Sequence, residues 1–144
     1  MVSLGTMNRH EINLQSAIAL ARKVEHDNCW HLAALLMRSH RVISYGWNSY
    51  TTHPKSNTKY KFCHAEFDAI LGVDADKLRN ATLYVARVGY DGRAKILFAK
   101  PCSHCQELIM RANIKYAYYT VDDYSYAKWD VRQHITTIYN YGGV

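Results

Sequence analysis

Leu14, Ala17, Ile18, Ala21 and Val24 recur at helical spacing, so the pattern predicts an amphipathic helix over about residues 10 to 26 whose apolar face needs a sheet to cover. Leu32 to Met37 and Val42 to Trp47 are short apolar runs on either side of the polar Arg38-Ser39-His40-Arg41, the signature of two strands joined by a hairpin. Residues 49 to 61 are polar and basic and read as a loop. From Cys63 to about Val73 a second helix is expected, with Ala65, Phe67, Ala69, Ile70 and Leu71 as its apolar content. A third strand should run from Thr82 to Val88, followed by a turn at Tyr90-Asp91-Gly92-Arg93 and a short strand at Ile96-Leu97-Phe98. A helix should open at the Cys102 segment, and the Tyr-rich run from Ile114 to Val121 reads as a fifth strand. After Tyr124, the positions Trp129, Val131 and Ile135 suggest a final helix, with Gly142-Gly143 fraying. Strands alternating with helices imply an α/β protein of three layers, α/β/α, around a mixed sheet of five strands.

Composition adds that one domain suffices. A chain of 144 residues, 49% of them hydrophobic, with two prolines and no low-complexity run, can bury its own core, so residues 1–144 are expected to fold as a single unit. No apolar run approaches the roughly 18 residues of a membrane span, and no basic flank with a long apolar core opens the chain. The four cysteines form no disulfide framework: Cys102 and Cys105 sit at metal spacing, while Cys29 and Cys63 stand apart. These features point to a soluble protein of a reducing, cytoplasmic compartment, without a membrane partner. The formal charge of +6 and pI of 9.2 favour an anionic partner, either a nucleotide phosphate or a nucleic acid.

The chemistry concentrates in two strings, His64-Ala65-Glu66 and, about forty residues on, Pro101-Cys102-Ser103-His104-Cys105. One imidazole and two thiolates are three ligands for zinc, leaving a fourth position open for water, and a carboxylate stands beside them that coordination does not require. Cys102 and Cys105, three residues apart in the first turn of a helix, point their sulfurs to one side, where the helix N-terminus favours their negative charge. His64, opening the other helix, can reach across from it. Glu66, two residues further, is then set to contact a zinc-held water, whose pKa the metal lowers to roughly 7. A lone CxxC serves structural zinc or redox pairs as readily, and Cys63 or His104 could complete a four-ligand structural set. The paired strings resemble the H-x-E and P-C-x-x-C signature of zinc deaminases acting on nucleobases.

The likeness extends over most of residues 14 to 121. Lys59-Tyr60-Lys61-Phe62-Cys63-His64-Ala65-Glu66 resembles the zinc-binding helix of deoxycytidylate deaminases. Ala81-Thr82-Leu83-Tyr84-Val85-Ala86, Pro101-Cys102-Ser103-His104-Cys105, Leu108-Ile109 and Ile114-Lys115 resemble the strand, second metal motif and closing helix-strand unit of the same zinc-dependent cytidine/deoxycytidylate deaminase superfamily. Gly46-Trp47-Asn48-Ser49, Thr52-His53-Pro54 and Ala99-Lys100-Pro101-Cys102 are similar to a deaminase-like group of phages and large viruses, in which case the compartment would be the host cytoplasm. The resemblance implies a cytidine deaminase-like fold, Zn2+ held by His64, Cys102 and Cys105, and Glu66 as the catalytic proton carrier. It also implies hydrolytic deamination of a cytosine nucleotide, dCMP to dUMP plus ammonia, by a homo-oligomer.

By the same resemblance Asn48 contacts the substrate sugar, although a turn residue closing a strand would also be Asn. The backbone of Ala65 would meet the base edge. His53 and Lys55, with Lys59 and Lys61, could form a cationic rim suited to a monophosphate, or could simply be solvated. Two departures stand out: Ser49 follows Asn48 where the family usually carries Gly, with a shorter stretch before His64, and the link from Arg87 to Lys100 is longer. The alternatives are a deaminase acting on a base within RNA or single-stranded DNA, or on another free nucleoside or nucleotide. The basic charge suits the first, but Ala99-Lys100 stands where tRNA adenosine deaminases carry an acid before their cysteines. A noncatalytic zinc protein of the same fold would have no use for Glu66.

Overall fold

The hairpin Ser39-His40 shows how the chain begins its sheet. Both residues take left-handed backbone angles, φ 52° and 65°, which matches the twist of a tight two-residue turn between antiparallel strands. The computed structural model describes residues 7–24, 31–48, 64–89 and 95–142. The loop expected at 49–61, the turn at 90–93, and the residues His53, Lys55, Lys59, Lys61, Cys29, Cys63 and Gly143 lie outside them.

Among the described residues, helix α1 spans Arg9–Arg22, strands β1 and β2 span His31–Arg38 and Arg41–Trp47, and helices α2 and α3 span Ala65–Ile70 and Ala75–Leu78. Strands β3 and β4 (Thr82–Val88 and Ile96–Leu97), helix α4 (Ser103–Arg111) and strands β5, β6 and β7 (Tyr116–Thr120, Ser125–Asp130 and Ile135–Asn140) follow. The sheet runs β2-β1-β3-β5-β6-β7, with β4 pairing on β3. It is mixed: β3 and β5 are parallel, joined by a crossover through α4, and the other pairs are antiparallel.

Strand alternation sends side chains to two cores. Ala33, Leu35, Tyr84, Ala86 and Tyr118 meet Leu14, Ala17, Ile18 and Ala21 of α1 on one face. Ala34, Leu36, Leu83, Val85, Ala117 and Tyr119 meet Ala65, Ala69 and Ile70 of α2 and Ile109 of α4 on the other. The α/β class, the mixed sheet and the helices on both faces are as the sequence pattern predicts.

Two expectations are corrected. The sheet has seven strands instead of five, because the tail forms the hairpin β6-β7 and no final helix. Trp129, Val131 and Ile135 mimic helical spacing only across the turn 131–134, where His134 adopts φ 57°. The β-branched run Ile135-Thr136-Thr137-Ile138 and the alternation of Tyr126 and Lys128 against Ala127 and Trp129 favour strands. The second helix is also shorter than 63–73: α2 ends at Ile70, with Gly72 at φ 89° turning the chain into α3.

Helix α1 begins on a capping box, the Asn8 side chain accepting from Glu11 N and the Glu11 carboxylate accepting from Asn8 N. Glu11 is fully buried, and its carboxylate also accepts from Tyr126 Oη at 2.8 Å and Gly142 N at 3.2 Å, tying the helix start to β6 and the end of β7. No helix among the described residues is long and apolar enough to cross a membrane.

Candidate active site

Helices α2 and α4 deliver the two strings to one place. Residue His64 is the N-cap of α2, in extended backbone, with its carbonyl accepting the first helical bond from Asp68 N. Cys102 holds the equivalent position before α4, its carbonyl accepting from Gln106 N. The Gln106 side chain donates back to Pro101 O at 2.8 Å and pins the segment ahead of the cysteines.

The approach of α2 to the sheet is set by Gly46 of β2. A Cβ at this position would stand 2.6 Å from Ala69 N, 2.6 Å from the Asp68 Cβ and 2.8 Å from Ala65 O, so only glycine lets the strand and helix meet this closely. Asp68 accepts a hydrogen bond from Trp47 N, and the Ser44 hydroxyl donates to Ala69 O across the same seam. On the α4 side, Thr120 donates its hydroxyl to Leu97 O at 2.7 Å and accepts from Arg87 N, while Ala99 N donates to Thr120 O. These bonds fasten the strand that leads into Pro101. A single Gly inside a strand pattern signalled the close approach at 46; no local pattern signalled Thr120 or Gln106.

The result is a cluster of three donors. Nδ1 of His64 lies 3.4 Å from Cys105 Sγ and 3.7 Å from Cys102 Sγ, and the three donor atoms all fall within 4.8 Å of one another. Cys105 is buried, Cys102 exposed and His64 between the two. The Cys102 thiol is pulled down to about 3, first by the hydrogen bond it accepts from Cys105 and then by that from His64. Cys105 moves up, because it donates to Cys102 and is buried. The hydrogen bond to Cys102 also raises His64. One imidazole and two sulfurs that share their protons so closely are the donor set that a soft-to-borderline dication displaces protons from.

Glu66 is 3% exposed, and its carboxyl sits against the cluster, hydrogen-bonded with Cys105. Burial raises its pKa above the usual carboxylate range, with the neighbouring His64 charge opposing the shift. A buried carboxyl that is not one of the three donors, and that holds its proton more readily than an exposed one, is suited to moving protons.

Of the other residues expected from the sequence, Ala65 is buried at the start of α2 and Asn48 closes β2. The Asn48 side-chain oxygen Oδ1 accepts from Leu32 N at 2.9 Å, so that atom serves the strand-closing role. His104 is exposed.

A model of the cytidine and deoxycytidylate deaminase zinc-binding region matches residues 7–121. Deoxycytidylate deaminase of Homo sapiens is 26% identical over 122 residues, which cover 75% of this chain and 62% of that protein. The Mus musculus protein of the same name is 35% identical over 75 residues, 51% of this chain and 35% of that protein. The chain thus spans less than two thirds of the length of these relatives. Among solved structures, the dCMP deaminase of cyanophage S-TIM5 in apo form aligns with a TM-score of 0.53 at 18% identity, covering 78% of this chain and 82% of that one. Acinetobacter baumannii RibD aligns with a TM-score of 0.51 at 21% identity, covering 80% of this chain and 28% of the other. These two likenesses show a shared fold.

Proposed function

Because the chain belongs to the family of the cytidine and deoxycytidylate deaminase zinc-binding region, we propose that it is a zinc-dependent hydrolase converting a cytosine nucleotide, dCMP, to dUMP and ammonia. The observation that carries the reading is the convergence of His64, Cys102 and Cys105 with a buried Glu66 beside them that is not one of the three donors.

His64 Nδ1 and the two sulfurs would hold Zn2+, which supplies a water acidic enough to attack at neutral pH. Glu66 takes a proton from the attacking water and places it on ring N3 while oxygen adds to C4. The same carboxylate then takes the remaining proton of the added hydroxyl and passes it to the amino nitrogen as the C4–N bond breaks and the C4 carbonyl forms, so water is consumed and ammonia leaves. The burial that raises the proton affinity of Glu66 makes its carboxylate a stronger base toward the water than a surface carboxylate. The start of α2 at Ala65 would offer its backbone to the base edge, and Asn48 would meet the sugar. A monophosphate-reading rim at His53 and Lys55, and assembly as a homo-oligomer, belong to the same proposal.

The deciding experiment is ammonia release by zinc-loaded protein from dCMP, CMP, deoxycytidine, cytidine, dAMP and a cytosine-bearing single-stranded oligonucleotide. Turnover of dCMP well above deoxycytidine is expected. Reaction of the oligonucleotide alone would replace the reading with base editing in a polymer, and no reaction on any substrate by metal-loaded protein would refute it.

A further inference from the structure

At the end of the strands away from the metal-type cluster, on the α1 face of the sheet, a hollow of about 160 Å³ opens between the start of α1, the β1-β2 turn and the start of β3. Its charged lining is entirely basic or basic-capable: Arg9, His10, Arg38 and His40, with the amides of Asn13 and Asn80 as further donors. Arg132 reaches its rim by donating to the Asn80 side chain, and Arg38 donates to Asp76 O.

Among the described residues these cations form no ion pair: the pairs there are Arg79–Asp76 and Arg111–Glu107, so Arg9, Arg38 and Arg132 meet no carboxylate. The Arg9 guanidinium instead lies against the His40 ring, 3.0 Å from Nε2 and 3.3 Å from Nδ1. Arg9 and Lys128 act on His10 in the same repulsive sense, lowering its pKa after burial has done so. Holding two guanidiniums around one hollow costs electrostatic energy that an anion entering it relieves, and the two imidazoles add ring nitrogens able to donate to it.

Size narrows the anion. The hollow is smaller than the roughly 300–1,000 Å³ of sites that enclose a whole organic ligand, and suits a single tetrahedral group. The wider hollow of about 450 Å³ on the other side of His10 carries the Glu11 carboxylate in its wall and lacks this one-sided charge. Guanidiniums present paired N–H groups matched to phosphate oxygens, and amides complete such a set.

We infer that this hollow is a phosphate site, separate from the metal-type cluster, which takes the phosphoryl group of a small free anion. A group bound there contacts α1, the β1-β2 turn and β3 without entering the space between α2 and α4. It therefore binds whether or not the cluster is engaged.

The test is a titration of 15N-labelled protein with inorganic phosphate, with pyrophosphate and with a single-stranded oligonucleotide, followed by backbone amide shifts. Saturable shifts at Asn13, Ser39, His40 and Asn80 with phosphate or pyrophosphate are expected. The double variant R9Q/R38Q should keep its fold by circular dichroism and weaken binding by about tenfold or more, and His40→Gln alone should weaken it less. Three results would overturn the inference: no saturable shift at these amides, shifts that the double variant leaves intact, or a response to the oligonucleotide only, with steep salt dependence, which would assign the surface to a polymer backbone.

Discussion

Substituting Gly46 by alanine tests whether strand-to-helix contact positions the cluster. The added Cβ would stand 2.6 Å from Ala69 N, against the 3.4 Å at which ordinary contact begins, so α2 must retreat by about 0.8 Å. The obstructing atoms belong to or adjoin the α2 backbone, which cannot rotate away as a flexible side chain could. Overpacking of this kind costs about 1–3 kcal/mol. Weakening the Trp47–Asp68 and Ser44–Ala69 bonds across the seam adds about 0.5–1.5 kcal/mol each. The gain from a less flexible unfolded chain, about 0.4–1 kcal/mol, opposes this but does not cancel it.

The net loss falls between about 1 and 6 kcal/mol, and its middle value of about 3 kcal/mol should lower Tm by roughly 6–12 °C for a chain of this size. A shift near 1 Å in the residues carrying Glu66 should also cut kcat about a hundredfold. The assay is thermal and denaturant unfolding of G46A beside Val42→Ala, an exposed position on the same strand where a change within about 0.5 kcal/mol is expected. If G46A melts within about 2 °C of the parent and turns over normally, the close approach does not position the helix and the reasoning fails.

Glu66→Gln should retain bound metal by elemental analysis while turnover falls about 10²–10⁴-fold; loss of the metal would make Glu66 a ligand instead of a proton carrier. Cys105→Ser should abolish stoichiometric zinc, and chelation of the parent should lower its stability by about 2.7 kcal/mol relative to protein at a hundredfold excess of zinc over Kd; equal melting of the chelated and loaded forms would count against a bound ion. Burial raises the phenol pKa of Tyr84, Tyr118, Tyr126 and Tyr141, with Tyr126 pushed up to about 12. Unfolded tyrosines ionise near pH ~10 while the folded ones keep their protons, so this contribution to stability is fully present below about pH 10 and is lost as the pH rises through about 12. Urea midpoints that stay flat from pH 9 to 11.5 would contradict it, and Tyr126→Phe should make the fall shallower while costing about 1–3 kcal/mol at neutral pH by depriving Glu11 of a donor.

What could be read from the chain depended on how local its cause was. The β1-β2 hairpin and β3 are set by short-range alternation and turn chemistry, and the structure has them where the pattern puts them. His64, Cys102 and Cys105 were legible because ligand chemistry demands those types at those spacings, and the structure brings their donor atoms together. The tail misled because a helical period was read through a turn, which only the pairing of β6 with β5 reveals. Thr120 and Gln106 were invisible for a related reason: each acts on backbone groups through a fold that joins distant segments, with no motif of its own.

The cluster has a consequence for the shape of the energy landscape. His64 is separated from Cys102 by 38 positions and from Cys105 by 41, so an ion held by all three would close a long covalent-like loop through β3, β4 and the segment between them. By the chain-entropy reckoning applied to disulfides, a clasp over a loop of this length removes about 4 kcal/mol of disorder from the unfolded ensemble. A metal at this position would thus act as a removable crosslink, and depletion would loosen the joint between the two helices before it disturbed the α1 face of the sheet.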